Sequence, residues 1–297
     1  MRAVWSFWTR PYLARTGHNW ATPLHHMLAW GLSVSTARQH YPDTALITDS
    51  PGKKLLVDTL GIQFSSVSTE LDRLSGADPG WWVLGKLIAY GLQDVPFLHI
   101  DTDVFLWRPL PLDLEEAPVV AQCPEFFQRG SDRSSRRIEE AFVAVGAQLP
   151  IEWEWAASRN DLFFREENCG IVGGTNVVFL RHFATTASDL VLNPDNASAC
   201  ARLAYKDNFA LEQFLLSACV DFHRHRPDSP FRGVRVRYLF PTWDDAMNPT
   251  CAERVGFTHL LGGSKAMPAV GLRLEERMKR DDPAYYRHCE RIAGRMA

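Results

Sequence analysis

The sequence predicts an α/β protein built on a mixed, mainly parallel, Rossmann-like sheet flanked by helices. Three observations point there. Apolar runs at 3–8, 44–48, 62–67 and 96–100 alternate with stretches of helical spacing, the pattern of parallel strands joined by helical crossovers. The run Pro96-Phe97-Leu98-His99-Ile100 is nearly continuous rather than alternating, as a strand buried on both faces must be. The 297 residues, 46% hydrophobic and 23% charged, contain no internal repeat and no low-complexity linker, so one domain over 1–297 with an embellished C-terminal half accounts for the chain.

The elements follow in order. Residues 3–8 read as the first strand; the run is too short for a signal-peptide core and leads into Thr9-Arg10-Pro11 without a small-residue cleavage site. Thr22-Pro23, an N-cap followed by proline at the first helical position, opens a helix that carries Leu24, Met27, Leu28, Gly31, Leu32 and Ser35 and closes at Tyr41-Pro42. Thr44–Thr48 is a strand ending in Asp49; Ser50-Pro51 starts a helix that Gly61 stops, and 62–67 is the third strand. Trp81–Gln93 predicts a helix that runs into the strand at 96–100. Beyond it the pattern loosens. Residues 124–168 read as an irregular excursion with one amphipathic helix near 136–147. A helix follows from about Asn176, another spans Lys206–Cys219, a strand covers Arg235–Phe240, and Asp281-Asp282-Pro283 starts a last helix. Its row Arg287, Arg291 and Arg295 reads as a solvated face.

Composition excludes some classes. Lys and Arg number 32 against 35 Asp and Glu, a net charge of −3, which argues against nucleic-acid binding by bulk electrostatics. No window approaches the roughly 18 apolar residues of a spanning helix, so no integral membrane segment is expected. Six cysteines lie scattered without a C-x-x-C pair, unlike a disulfide framework or a zinc ribbon, which predicts a reducing, cytoplasmic setting.

In parallel α/β sheets, ligands sit beyond the carboxyl ends of the strands. The strongest signal lies at such an end: Asp101-Thr102-Asp103, directly after Phe97-Leu98-His99-Ile100. Extended backbone would project Asp101 and Asp103 to one side, where two carboxylates repel unless a proton or cation intervenes. Hard oxygen ligands suit Mg2+ or Mn2+ bridging to a diphosphate; D-x-D alone also fits two aspartates capping a turn. A second constellation, His259-Leu260-Leu261-Gly262-Gly263-Ser264-Lys265, offers a nitrogen ligand, a glycine loop open to close approach and a cation for phosphate.

An apolar strand ending in D-x-D, joined to a late H-x-x-G-x-x-K, resembles the GT-A nucleotide-sugar glycosyltransferases, notably retaining members such as glycosyltransferase family 8, and a related group of bacterial GT-A proteins. The resemblance runs from Trp5 to about Lys265. It implies that Asp101, Asp103 and His259 bind Mn2+ or Mg2+ and that Lys265 contacts the diphosphate, with Lys86 as the family's lysine on the helix before D-x-D. It also implies a nucleotide-sugar-binding half over 1–120, an acceptor and catalytic half over 121–270 and a helical tail over 271–297. The family motif usually ends Lys-Pro-Trp, whereas Lys265 is followed by Ala266-Met267-Pro268.

Other positions follow from the same likeness. Trp8, Thr9 and Asp49 come after the first two strands, where base and ribose would bind, or serve as a packing tryptophan and a turn aspartate. Asn168 and Gly170 match the Asn-x-Gly that flanks a donor sugar, and Gly173-Gly174 could bind an anion at a helix start. Glu212-Gln213 matches the acidic-amide pair that faces the sugar, and Gly262 belongs to the late loop. His223-x-His225 shows no third ligand nearby and reads as a basic turn. Acceptor loops are expected in 124–168 and 221–250, with Trp153, Trp155 and Trp243 as candidates for stacking.

The function expected is a metal-dependent hexosyltransferase that moves a hexose from a UDP-linked or other nucleoside diphosphate sugar to the hydroxyl of a glycan, peptide or small molecule, with retention. Two alternatives come from other classes. A non-catalytic nucleotide-sugar or glycan-binding protein would keep the same metal site. A haloacid-dehalogenase-type phosphatase also places D-x-D after a buried strand, but it needs Thr or Val where Phe105 stands and leaves the late motif unused.

Overall fold

A computed structural model describes residues 1–14, 20–131 and 134–296. Its centre is a seven-stranded sheet formed by β1 (Arg2–Phe7), β2 (Thr44–Thr48), β3 (Ser66–Ser68), β4 (Phe97–Ile100), β6 (Val119–Ala121), β9 (Ile171–Gly174) and β10 (Val236–Tyr238). Their order is β10-β6-β9-β4-β1-β2-β3. Four of the six pairings are parallel; β9 alone runs against its neighbours β4 and β6. The predicted mainly parallel α/β architecture is the one observed.

Two ribbons complete the strands. β5 (Val104–Leu106) pairs antiparallel with β11 (Phe257–His259), and β7 (Pro124–Gln128) pairs with β8 (Phe163–Glu167). Helices Leu84–Gly91, Val177–Leu192 and Leu215–His225 cover one face of the sheet, packing on Val4, Ala45 and Val172. Helices Pro23–Arg38, Pro268–Asp281 and Pro283–Met296 cover the other with Ala3, Trp5 and Leu46. The period of two along β1 sends Val4 and Trp5 to opposite cores.

Local signals act as read. The Thr22 hydroxyl accepts from His25 N at 3.1 Å, the Asn176 side chain accepts from Phe179 N at 3.1 Å, and Gly61 takes a left-handed φ of 71° past the helical segment it ends. Several boundaries move. The third strand is Ser66–Ser68, because Ile62 is buried in the loop before it; the helix expected over 81–93 spans Leu84–Gly91; and the strand expected over 235–240 shortens to Val236–Tyr238. The segment 206–219 breaks into a short 3-10 turn, a π-helical turn Ala210–Phe214 and the helix Leu215–His225.

The excursion 124–168 holds two helices, Ser134–Val143 and Ile151–Ser158, inside the β7–β8 ribbon. Trp153 there is core: fully buried, its ring 4.8 Å from that of Phe214, its Nε1 donating to Glu139 at 3.1 Å. It is therefore closed to an acceptor. In the tail, Tyr286 and Cys289 are buried against the second core while Arg287, Arg291 and Arg295 face solvent. Among the described residues no helix is long and apolar enough to cross a membrane.

Candidate active site

The site begins at the carboxyl ends of β1 and β4, adjacent and parallel in the sheet. Asp101 and Asp103 do not prolong the strand. Val104 N donates to Asp101 O at 2.9 Å, so D-x-D is a tight turn that feeds β5. The register of β5 with β11 sets His259 opposite Val104, and Leu260 N donates to Asp103 O at 3.0 Å. That short ribbon carries the late motif across more than 150 residues of sequence to the D-x-D turn. One ligand atom from each of Asp101, Asp103 and His259 lies within 4.8 Å of the others.

Around them opens a cleft of about 320 Å³, lined among others by Trp8, Lys86, Asn168, Gly170, Glu212, Gln213, Gly262 and Lys265. This is a volume suited to a small-molecule ligand. The antiparallel run of β9 explains which glycines reach it. Ile171 pairs with Ile100 at the site end, so Asn168 and Gly170 lie at the cleft; Gly174 pairs with Phe97 at the far end. Gly173 and Gly174 are thus remote from the site. A Cβ on either would strike a neighbouring strand's backbone, at Phe97 for Gly173 and at Pro118 for Gly174. Gly170 has a local duty: a Cβ there would collide with the His259 ring and Gln122 Oε1.

Thr9 and Asp49 serve each other. Asp49 Oδ2 accepts from Thr9 N at 2.9 Å and from Thr9 Oγ1 at 2.6 Å, while Oδ1 caps Gly52 N at 2.9 Å. Neither is among the described residues that line the cleft. Of the predicted positions after the first two strands, only Trp8 faces it.

Each aspartate has its own cation. Lys86 Nζ lies 2.9 Å from Asp101 Oδ1 and 2.8 Å from Glu212 Oε1, and it donates to Cys169 O at 3.1 Å. The Tyr90 hydroxyl donates to the same Glu212 oxygen. Lys265 Nζ lies 2.6 Å from Asp103 Oδ2, and His259 Nε2 stands 3.7 Å from Asp103 Oδ1. Burial would raise the Asp103 carboxyl, but Lys265 and His259 outweigh it and hold Asp103 below its ordinary value. Asp101 goes the other way: burial, with Asp103 and Glu212 nearby, lifts it to about 7 despite Lys86.

Burial drives His259 down to about 4, which leaves it neutral at pH 7. Its Nδ1 lies 2.7 Å from Gln122 Oε1. Since that oxygen only accepts, Nδ1 carries the proton and Nε2 turns a lone pair toward Asp103. A lone pair and a carboxylate facing each other across 3.7 Å mark a place for a cation. The donor set of two carboxylates and an imidazole fits Mn2+ better than Mg2+.

Several residues that line the cleft or support its groups from behind escaped the sequence: His26 and His99 line it, and Tyr90 and Gln122 hold Glu212 and His259. Tyr90 follows Lys86 by one helical turn, a spacing that puts both on one face. His99 precedes Asp101 by two, and its Nδ1 lies 3.8 Å from Asp101 Oδ1; period-two alternation carried that signal. Gln122 and His26 gave none.

His26 is held neutral: its Nε2 accepts from Trp30 Nε1 at 3.2 Å, its ring stacks on Tyr12, and burial lowers it to about 3. His99 is also pushed well down by burial. Unfolded, all three imidazoles would protonate near 6.5, so the stability of keeping His26, His99 and His259 neutral is full above that pH and is lost as pH falls. Asp101, raised above its unfolded value, takes up a proton in the fold and offsets one of the three. These four groups together should therefore make the unfolding free energy drop by roughly 3 kcal/mol per pH unit between about pH 6 and 4.5, a net of two protons, with His223 adding to the loss and Glu139 and Glu167, raised by burial, opposing it. In His26→Gln the slope should fall by about 1.4 kcal/mol per pH unit, the share of one proton. Urea titrations across that range measure it, and an unaltered slope would discount His26.

No curated protein matches the chain. Among solved structures it is similar to the galactosyltransferase LgtC in complex with donor and acceptor sugar analogs, at 14% identity and a TM-score of 0.49, covering 97% of this chain and 100% of that one. It is also similar to the apo form of mouse xyloside xylosyltransferase 1, at 9% identity and a TM-score of 0.36 over 87% and 96% of the two chains. The family model described as "Family of unknown function (DUF6734)" matches residues 1–292, and the chain belongs to that family.

Proposed function

We propose that the chain is a metal-dependent glycosyltransferase that moves a hexose from a nucleoside diphosphate sugar, UDP-linked, to an acceptor hydroxyl with retention. The observation that carries this reading is the convergence of Asp101, Asp103, His259 and Lys265 on one cleft at the carboxyl ends of β1 and β4. Asp101, Asp103 and His259 would hold Mn2+ or Mg2+, which when bound supplies positive charge against a departing diphosphate. The six cysteines, all free, support a reducing, cytoplasmic setting for this chemistry.

The chain's own groups divide the remaining work. Lys265, carried on the turn Gly262–Ala266, neutralises a phosphate oxygen once it leaves Asp103. Trp8 offers a flat apolar wall for the base, and Asn168 and Gly170 flank the sugar. Glu212 is 1% exposed and already holds both Lys86 and Tyr90, which makes it a positioning carboxylate rather than a nucleophile. Gln213, half-buried beside it in a π-helical turn, presents its amide to the developing positive charge. The bond from the anomeric carbon to the diphosphate breaks, the acceptor oxygen bonds that carbon on the same face, and a released phosphate oxygen takes the acceptor's proton.

A thermal-shift screen of UDP, GDP and ADP, each with and without Mn2+, tests the reading. Ligand at 100 times its Kd stabilises by about 2.7 kcal/mol, so UDP with Mn2+ should raise Tm well beyond either alone. No shift with any nucleoside diphosphate and Mn2+ would overturn the proposal. Release of p-nitrophenol from its phosphate with Mg2+ would favour the phosphatase, and binding without transfer across an acceptor panel would favour the binding protein.

A further inference from the structure

Outside the cleft, three helices bring Glu152, His182 and His223 together, one each from Ile151–Ser158, Val177–Leu192 and Leu215–His225. Only His223 of the His223-x-His225 pair takes part, and the other two ligands come from elsewhere in the fold. His225, two residues on along a helix, is exposed and points away. Glu152 Oε1 lies 2.8 Å from His182 Nε2 and 3.2 Å from His223 Nε2, and the two Nε2 atoms are 3.1 Å apart.

With Glu152 ionised, no placement of the imidazole protons satisfies all three contacts. If both Nε2 atoms carry hydrogen, each can donate to Glu152 but the nitrogens meet N–H to N–H. If either lacks one, its lone pair faces the carboxylate. A divalent cation settles all three contacts at once. Zn–N and Zn–O bonds near 2.0–2.1 Å at tetrahedral angles set ligand atoms roughly 3.3 Å apart, close to the separations seen.

The surroundings fit a metal. His223 Nδ1 lies 2.8 Å from Ser229 Oγ, whose own position is fixed by Phe231 N donating to it at 3.0 Å; such outer partners orient ligating imidazoles. The Phe231 ring lies 5.3 Å from the His182 ring and 5.1 Å from that of His223, an apolar wall. Burial, with His182 alongside, holds His223 below its ordinary value; burial would raise Glu152, but the His182 contact outweighs it and keeps the carboxyl ionised. The His182 side chain is 33% exposed while Glu152 and His223 are buried, so the remaining position faces solvent.

We propose that Glu152, His182 and His223 bind a zinc ion that clips the helix Ile151–Ser158 of the β7–β8 excursion to the two helices beneath it. The helix that carries His223 continues directly from the π-helical turn bearing Glu212 and Gln213. The clip therefore braces the acceptor side of the cleft without sharing a residue with the D-x-D site.

Full-length protein stripped with EDTA and titrated with Zn2+ against a chromophoric chelator tests this, in an Asp103→Asn background that disables the other cluster. One equivalent should bind, and Co2+ in its place should give the visible bands of a low-coordinate site. Adding His182→Ala should weaken binding by about 100-fold or more, and His182→Cys should restore it, since thiolate is also a zinc ligand. Failure of Asp103→Asn to take up zinc at micromolar concentration would overturn the proposal however the His182 variants fold. Full retention of the equivalent in His182→Ala would overturn it too.

Discussion

Asp103→Ala should lower Mn2+-dependent turnover of a UDP-hexose by about 10³-fold or more, with the loss in kcat of the folded fraction and beyond any loss of stability. The side chain is 4% exposed and stands between two groups that need it: Lys265 at 2.6 Å and the His259 Nε2 lone pair at 3.7 Å. Without the carboxylate, a neutral imidazole, an unpartnered ammonium and Asp101 remain. Asp101, lifted to about 7 and paired with Lys86, is a poor ligand alone. The Mn2+ dependence should flatten, and the thermal shift from UDP with Mn2+ should shrink to that from UDP alone. Donor hydrolysis and transfer measured with Mn2+ and with EDTA provide the check. Turnover equal to wild type, undiminished by EDTA, would remove the metal from the mechanism.

Much of the fold and the heart of the site were legible in the chain. The apolar runs announced β1, β2 and β4, and Phe97–Ile100 followed by two aspartates announced a site at a strand end. His259 and Lys265 could be named from their spacing, yet nothing in the sequence says how they reach Asp103. The β5–β11 ribbon that brings them there is three residues on each side, too short to leave a periodic signal. The turn at Asp101–Asp103 could not be told from an extended continuation, because both satisfy the same pattern. Gly173 and Gly174 misled for a topological reason: only the direction of β9 decides which end of Cys169–Gly174 meets the cleft, and strand direction is a property of the whole sheet. His223 was set aside because its partners lie about 40 and 70 residues upstream on separate helices.

Lys86→Met should cost about 3–5 kcal/mol of stability, the range for removing one partner of a buried ion pair, and a drop in Tm on the order of 10 °C. Lys86 is 9% exposed, serves Asp101 and Glu212 together, and spends a further bond on Cys169 O. Methionine fills a similar volume, so packing changes little and the penalty isolates two acids left without their cation. Tyr90→Phe offers the contrast: it removes one neutral donor from Glu212 and should cost about 1 kcal/mol. The Lys86→Met penalty must also depend on pH. With Lys86 absent, Asp101 rises further above its unfolded value, so the fold regains stability as pH falls and the carboxyl takes a proton. The gap between wild type and variant should narrow from pH 8 to pH 6. A gap that stays constant over that range would mean the lysine acts through shape, and its place between the D-x-D turn and the π-helical turn would lose its electrostatic meaning.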